Sequence, residues 1–371
     1  MRRINERFVT ETYEDGLLSS FDVHCEDDYN FGYDVVDDIA VNDHARRAMV
    51  WCNPEGEEHI FTFADMKTWS DKTANFLAES GIGRGDKVLV ILRRHYQFWF
   101  VALALAKLGA VMVPATFMLK EHDMSYRLNR AGIKAVIATS AGEVADIVDA
   151  VVDECPTVET LILVEPAGAG LTERDEDGAL LDGGRGFGPG LSGPEGICAL
   201  PAQRDGWLDF NTSVRMASDI FERRETSAAD PMLMYFSSGT SGNPKMVLHD
   251  SLYSLGHLMT AKHWHNVRPD GLHFTIADTG WGKAVWGKFY GQWLMEACVL
   301  TYDFDRFHAG EILDLIGRYD VTTFCAPPTM YRLMMQEDLD AFDLSTLEYS
   351  TTAGEALNPD LFDFWKEHTG L

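Results

Sequence analysis

Basic residues are scarce in this 371-residue chain: 31 Lys and Arg stand against 58 Asp and Glu, a formal net charge of −27. Such a field repels nucleic acid and anionic membranes. An anionic ligand would need local cations or backbone amides to overcome it. Cysteine is also sparse. The six (Cys25, Cys52, Cys155, Cys198, Cys298, Cys325) form no CxxC pair. A chain this long needs no disulfide staples, so reduced thiols and a cytoplasmic location are expected. No long apolar run is present. The greasiest stretch, "FWFVALALAKLGAVMVPA", is broken by Lys107 and Gly109, too short and interrupted to span a bilayer. The opening "MRRINERFVTETYEDG" starts with an Arg pair but has no apolar segment behind it, so it does not read as a signal peptide. No repeat is visible, and the twelve His show no metal-ligand spacing. His263 and His265 read as surface or packing residues.

What is there is a strand–helix alternation. Val- and Ile-rich runs such as "GDKVLVIL" (85–92), "VMVPAT" and "IKAVIAT" are of strand length. Beside them lie helical stretches: within 59–82 a short strand leads into a helix with Met66, Trp69, Ala74 and Leu77 near a 3.6-residue period, then "FWFVALALAKLGA" ended by Gly109, and the polar "KEHDMSYRLNRAG". Alternation of this kind implies crossovers and parallel sheets buried on both faces, an α/β protein. We expect an N-terminal arm over 1–45, in which "YNFGYDVVDDIA" packs Tyr and Phe onto the body. A first α/β subdomain over 46–206 follows, with a Gly-, Pro- and acid-rich surface insertion at 165–206. A second covers 207–371, with a helix at 309–319 and another started by Pro359.

The stretch "MLMYFSSGTSGNPKMVLHD" (232–250) carries the strongest chemical signal. It is not a Walker loop: the GxxxxGK[ST] spacing fails, and Met246 stands where a magnesium-binding hydroxyl would be. Its residues still suit phosphate. Gly239 and Gly242 permit a tight turn that brings amides to an anion. Ser237, Ser238, Thr240 and Ser241 add hydroxyls, and Lys245 adds a cation. Composition alone leaves open a flexible Ser/Gly hairpin without function.

The loop "SSGTSGNPKMV" resembles the phosphate loop of the AMP-forming acyl-CoA synthetases among the adenylate-forming enzymes. Met after the Lys is similar to the medium-chain acyl-CoA synthetase branch. "YNFGYDVVD", "GDKVLVILRR", "LAKLGAVMVPAT", "DTGWGKAVWG", "CAPPTMYR" and "TTAGEALNP" agree with the family in order and spacing, covering about 29–371. The resemblance implies two stacked αβαβα-type subdomains of the adenylate-forming N-terminal domain. It implies ATP, Mg2+ and CoA as cofactors and a small carboxylic acid as substrate: the acid attacks the ATP α-phosphate, and CoA thiol then displaces AMP. A fatty or aromatic acid is the leading substrate class, and acetate or propionate the runner-up. A non-catalytic nucleotide- or acyl-binding remnant is the rival.

Residue by residue, the resemblance places Ser237–Lys245 on the β- and γ-phosphates, with Thr240 donating a hydroxyl and Lys245 either pairing charge or only ordering the loop. Trp281, Gly282 and Trp286 map to the acyl pocket, where a wall and a plain core role both remain open. Gly354, Glu355 and Ala356 map to the adenine face, against the alternative of an ordinary turn. Pro327, Pro328 and Thr329 are a weaker candidate for the acyl or pantetheine route, and His249 for a substrate contact or packing. Lys283 and Lys288 read as solvated charges without a role.

The family's Tyr-Gly-x-Thr-Glu motif with its Mg-binding Glu, its ribose-binding Asp and its C-terminal domain with the catalytic Lys have no counterpart before Leu371. No catalytic residue is therefore assigned within the chain. The expectation is a second subdomain that is incomplete, a C-terminal domain that is absent, and a chain not fully active alone. An unfinished sheet exposes an edge and an apolar face. A homodimer or a complementing C-terminal chain is expected to cover it.

Overall fold

The computed structural model describes residues 3–166, 197–198, 200–237 and 242–371. Its strands are β1 (Val9–Glu14), β2 (Leu17–Val23), β3 (Arg47–Cys52), β4 (Glu58–Thr62), β5 (Lys87–Ile91), β6 (Val111–Pro114), β7 (Ala135–Thr139) and β8 (Thr160–Val164). They continue as β9 (Leu208–Asp209), β10 (Pro231–Ser237), β11 (Lys245–Asp250), β12 (Leu272–Thr275), β13 (Cys298–Tyr302), β14 (Thr323–Ala326) and β15 (Tyr349–Thr352). One sheet has the order β11-β10-β6-β5-β7-β8-β9, the other β15-β14-β12-β13-β3-β4, and β1-β2 stand apart as a hairpin. Both large sheets are mainly parallel, with antiparallel pairs only at β10–β11 and β3–β4.

The side-chain period of two sorts each strand between layers. Val88 and Val90 of β5 enter the central core, whereas Leu89 and Ile91 face an outer core with the helices Glu121–Ala131 and Val144–Val151. Likewise Val299 of β13 points to the centre, and Leu300 to a second outer core under the helices Ala309–Arg318 and Pro359–Thr369. The result is an αβαβα stack with helices on both outer faces and a helical layer between the sheets. The helix Gln97–Leu108 lies in that middle layer and is buried on every side, which is why it is apolar all round. It ends at Gly109 as expected, in the left-handed region at φ 69°.

Lys107, the charge that interrupts this helix, is fully buried and bonds Asp37 at 2.8 Å, Asp71 at 2.6 Å and Ser70 at 2.9 Å. Asp37 comes from the N-terminal arm, so this ion pair pins the arm to the core. The expected aromatic packing is there too. Tyr29 Oη lies 2.8 Å from Ser254 Oγ, Phe31 meets Tyr290 edge-on at 4.9 Å, and Tyr33 Oη donates to the Lys107 carbonyl at 3.1 Å.

Sheet membership cuts across the boundaries expected at 45 and 206. β3 and β4, early in the chain, complete the six-stranded sheet, while β10 and β11, which flank the Ser/Gly loop, join the seven-stranded one. Strand pairing is non-local, and chain order does not set it. Most of the 165–206 stretch lies outside the described residues, but Ile197, Cys198 and Ala202 at its end are buried in the cores. All six cysteines are free. Among the described residues no helix is long and apolar enough to cross a membrane.

Candidate active site

β10 and β11 form a hairpin that presents the Ser/Gly loop. Ser237 faces Lys245 across the ladder, and its hydroxyl donates to the Lys245 carbonyl at 3.4 Å. Gly242 has φ 88°, a left-handed backbone that favours glycine. Tyr126 Oη donates to the Pro244 carbonyl at 3.1 Å, tying the loop's descending arm to a neighbouring helix. Lys245 is exposed to solvent. Ser238, Gly239, Thr240 and Ser241 lie outside the described residues.

The "ADTGWGKAVWG" segment follows β12 and is clamped to the other sheet. Thr279 N donates to the Arg93 carbonyl, just past β5, at 3.1 Å. Gly280 lies so close to the Ala115–Thr116 backbone, just past β6, that any Cβ would overlap it. The helix Gly282–Gly287 then starts, with Trp281 at its N-cap. Trp281 is 56% exposed, so it is not a core residue. Trp286 is half-buried and packs on Trp264 and His265, both at 5.5 Å between ring centroids. Gly282 faces Tyr235 of β10: a Cβ placed on it would lie 4.0 Å from Tyr235 Cε2.

The sequence reading of Lys283 and Lys288 as solvated charges is corrected here. The Lys283 ammonium is buried, with the Cys325 thiol beside it. Burial depresses its pKa, opposed by the Cys325 thiol at the end of β14 and by the charge of Glu355. Lys288 is fully buried. Burial draws its pKa down to about 7, with Arg94 pushing the same way and Asp278 and Asp303 against it. Both lysines lie on one short helical segment wedged between two sheets, and exposure cannot be inferred from such local sequence.

The third motif follows β15. Gly354 takes φ 102°, and Gly354, Glu355 and Ala356 are all exposed. The Glu355 carboxylate accepts from Thr329 Oγ1 at 2.6 Å and from Arg332 at 3.0 Å, while Arg332 also donates to Thr329 Oγ1 at 2.7 Å. "CAPPTMYR" and "TTAGEALNP" thus meet, because β14 and β15 are parallel neighbours whose C-terminal ends emerge side by side. Pro327 caps, and Pro328 opens, the helix Pro328–Met334. His249 stacks on Tyr253 at 4.0 Å, a packing contact. His263 reaches Glu11 at 2.8 Å, and His265 is buried.

A polar seam between the sheets was not singled out from sequence. His95 Nδ1 meets Asp303 at 2.5 Å, and its Nε2 meets Thr139 at 2.9 Å. Arg94 pairs with Asp278 at 3.5 Å and bonds the Phe304 carbonyl. The available signal was "RRH" just after β5, two arginines and a histidine where a parallel strand ends and ligand crevices form. Asp303 is held below the usual carboxylate range by His95 and the two arginines, against its burial. Among the described residues no three His, Cys, Asp or Glu side chains come together as a metal site.

Residues 36–371 match the family described as AMP-binding enzyme. The chain belongs to that family. Curated relatives include acyl-coenzyme A synthetase ACSM4, mitochondrial, of Rattus norvegicus, 32% identical over 92% of this chain and 54% of the relative. ACSM5, mitochondrial, of Homo sapiens is also 32% identical, with the same coverage. ACSM3, mitochondrial, of Homo sapiens is 29% identical over 96% of this chain and 56% of the relative. The chain therefore spans about half the length of the curated relatives it matches. Among solved structures, the anthranilate CoA ligase AuaEII in complex with anthranoyl-AMP superposes with a TM-score of 0.75. That match is 22% identical and covers 94% of this AMP-binding chain and 59% of the ligase. A Brucella canis acyl-CoA synthetase gives 0.71 at 21% identity, over 88% and 53%. These two likenesses carry the fold.

Proposed function

We propose that the protein this chain represents is an AMP-forming carboxylate–CoA ligase. A carboxylate oxygen attacks the α-phosphorus of ATP, a phosphorus–oxygen bond forms, and pyrophosphate leaves with the broken bond's electron pair. The CoA thiol then adds to the acyl carbon and AMP departs. Positioning and charge stabilisation dominate such chemistry, because the protein forms no covalent bond itself. The observation that carries the reading is the helix Gly282–Gly287. It lies against β10, the strand that leads into the Ser/Gly loop, and its Lys283 senses Cys325 and Glu355 of the other sheet.

In this reading Ser237–Lys245 hold the leaving phosphates, with Gly242 supplying the turn and Lys245 the cation. Trp281, Gly282 and Trp286 border the acyl group, and the Gly354–Ala356 turn borders adenine. The acid is a fatty or aromatic one, and the site works in a reducing compartment, the cytoplasm. Solvent-facing Leu333, Tyr349, Leu357 and Phe362, on β15 and the elements that flank it in the chain, support self-association or a covering partner chain.

Calorimetry of the 371-residue chain with ATP and with a non-hydrolysable acyl-adenylate tests the assignment. We expect both to bind, and Lys245→Ala to weaken ATP more than the adenylate, which lacks the β- and γ-phosphates. Failure of both ligands to bind at millimolar concentration overturns the reading.

A further inference from the structure

The helix Tyr253–Met259 runs on into a π-helical turn, Thr260–Trp264. Such turns are rare and gather at functional sites. Two supports hold this one. From inside, Gly291 of the helix Tyr290–Leu294 packs very closely. A Cβ there would lie 2.3 Å from the His257 carbonyl oxygen and 2.8 Å from Ala261 Cβ. From outside, the β1–β2 hairpin lays the Glu11 carboxylate across the turn. Lys262 Nζ donates to one Glu11 oxygen at 2.5 Å, and His263 Nε2 meets the other at 2.8 Å. Phe21, opposite Glu11 in the hairpin, meets the His263 ring edge-on at 6.2 Å. Tyr13 Oη donates to Glu11 at 2.9 Å.

Holding the hairpin on the body does not by itself call for this carboxylate, because Val9 and Phe21 already pack on the central core. The Glu11 side chain is only 11% exposed, and taking a charge out of water is costly. Burial raises its pKa, but hydrogen bonds from Lys262, His263 and Tyr13 outweigh that and hold it below the usual carboxylate range. Glu11 is therefore ionised and fixed on two consecutive residues. The next two face the acyl motif. Trp264 and His265 each lie 5.5 Å from Trp286 between ring centroids. His265 also meets His273 at 4.6 Å and Thr351 Oγ1 at 3.2 Å. A run of four residues, 262–265, thus joins the N-terminal hairpin on one side to Trp286 on the other.

We propose that the β1–β2 hairpin steadies the acyl wall, with Glu11 as a positioning residue that acts through Lys262 and His263 on Trp264, His265 and Trp286. This rests on the ligase reading above and adds to that site a support from the N-terminal arm. Close-packed interiors pass displacements on, because side chains interdigitate with few voids. Without Glu11 the π turn loses its outer support, and Trp264 shifts against Trp286. Acyl binding suffers and nucleotide binding does not.

The test is calorimetry of the 371-residue chain and its Glu11→Ala variant with octanoyl-sulfamoyl adenosine and with AMP. The acyl analogue should bind about threefold to thirtyfold more weakly to the variant, the span through which residues off a site act on it. AMP, which carries no acyl group, should bind both proteins within about twofold. Glu11→Gln, which keeps the size and removes the charge, should show the same split if the alanine variant does not fold. Exchanging the charges, Glu11→Lys with Lys262→Glu, should restore acyl affinity, a rescue that a packing role would not give. Equal loss for both ligands, or loss for neither, refutes the inference while leaving the ligase reading standing. A folded charge exchange without rescue refutes the route through Lys262. No binding of either ligand to the unaltered chain refutes the ligase reading and this inference with it.

Discussion

Acid should unfold this protein through its buried imidazoles. His265 is 1% exposed and His273 is not exposed at all. Burial, reinforced by neighbouring cations and imidazoles, lowers His265 to about 2 and His273 to about 3, from an ordinary 6.5. Both nitrogens of His273 are engaged by threonine hydroxyls, Thr323 and Thr275, each at 2.7 Å, an arrangement suited to a neutral ring. Because the folded pKa values are depressed, the unfolded chain takes up protons below 6.5 and the folded chain does not. Stability is therefore intact above about pH 7 and falls as pH drops. At pH 5 each imidazole has cost roughly 1.4 kcal/mol for each of about 1.5 pH units, or about 2 kcal/mol, so the pair costs about 4. That is a large share of the roughly 5–15 kcal/mol typical of a folded domain. The net charge of −27 works the other way, since acid relieves self-repulsion. Ordinary carboxylates near 4 remain mostly ionised at pH 5, however, so that relief is small in this window. Urea unfolding followed by tryptophan fluorescence at pH 7.5, 6.0, 5.5 and 5.0 gives the slope directly. His273→Asn should remove about half of it. A midpoint that stays level between pH 6 and 5, or a slope unaltered in the variant, would show that these rings do protonate in the fold.

Other outcomes follow from single contacts. Gly280→Ala drives a methyl into the Ala115–Thr116 backbone, which cannot yield as a side chain can. It should cost about 3 kcal/mol or more, read as a lowered urea midpoint. Lys107→Met leaves Asp37 without its ion pair in the interior and Asp71 with Lys67 alone. A loss of about 3–5 kcal/mol is expected, and a loss below about 1 would mean that the arm is not pinned by this pair. Glu355→Ala releases exposed Thr329 and Arg332, so stability should move by no more than about 0.5 kcal/mol while acyl-adenylate affinity falls; a change confined to stability would make the turn purely structural. Sedimentation at micromolar concentration should reveal self-association, and a stable monomer would count against it.

Local pattern determined much of this protein. The strands over 85–139, the largely apolar helix stopped by Gly109 and the helix opened by Pro359 follow from side-chain periodicity and backbone preferences, which act within a few residues. The Ser/Gly hairpin and the motif order were legible for the same reason, since residue types and spacings survive without a fold. What only the tertiary structure decided is non-local. β3 and β4 cross to the far sheet, and β10 carries the loop back to the near one. Lys107, Lys283 and Lys288 are buried rather than solvated, because partners or neighbours from distant elements enclose them. Trp281 and Trp286 differ by five residues and look alike in sequence, yet one faces solvent and the other packs on Trp264. The Tyr253–His257–Tyr290 ring cluster gave no signal at all, because its members meet only where two helices close on one another.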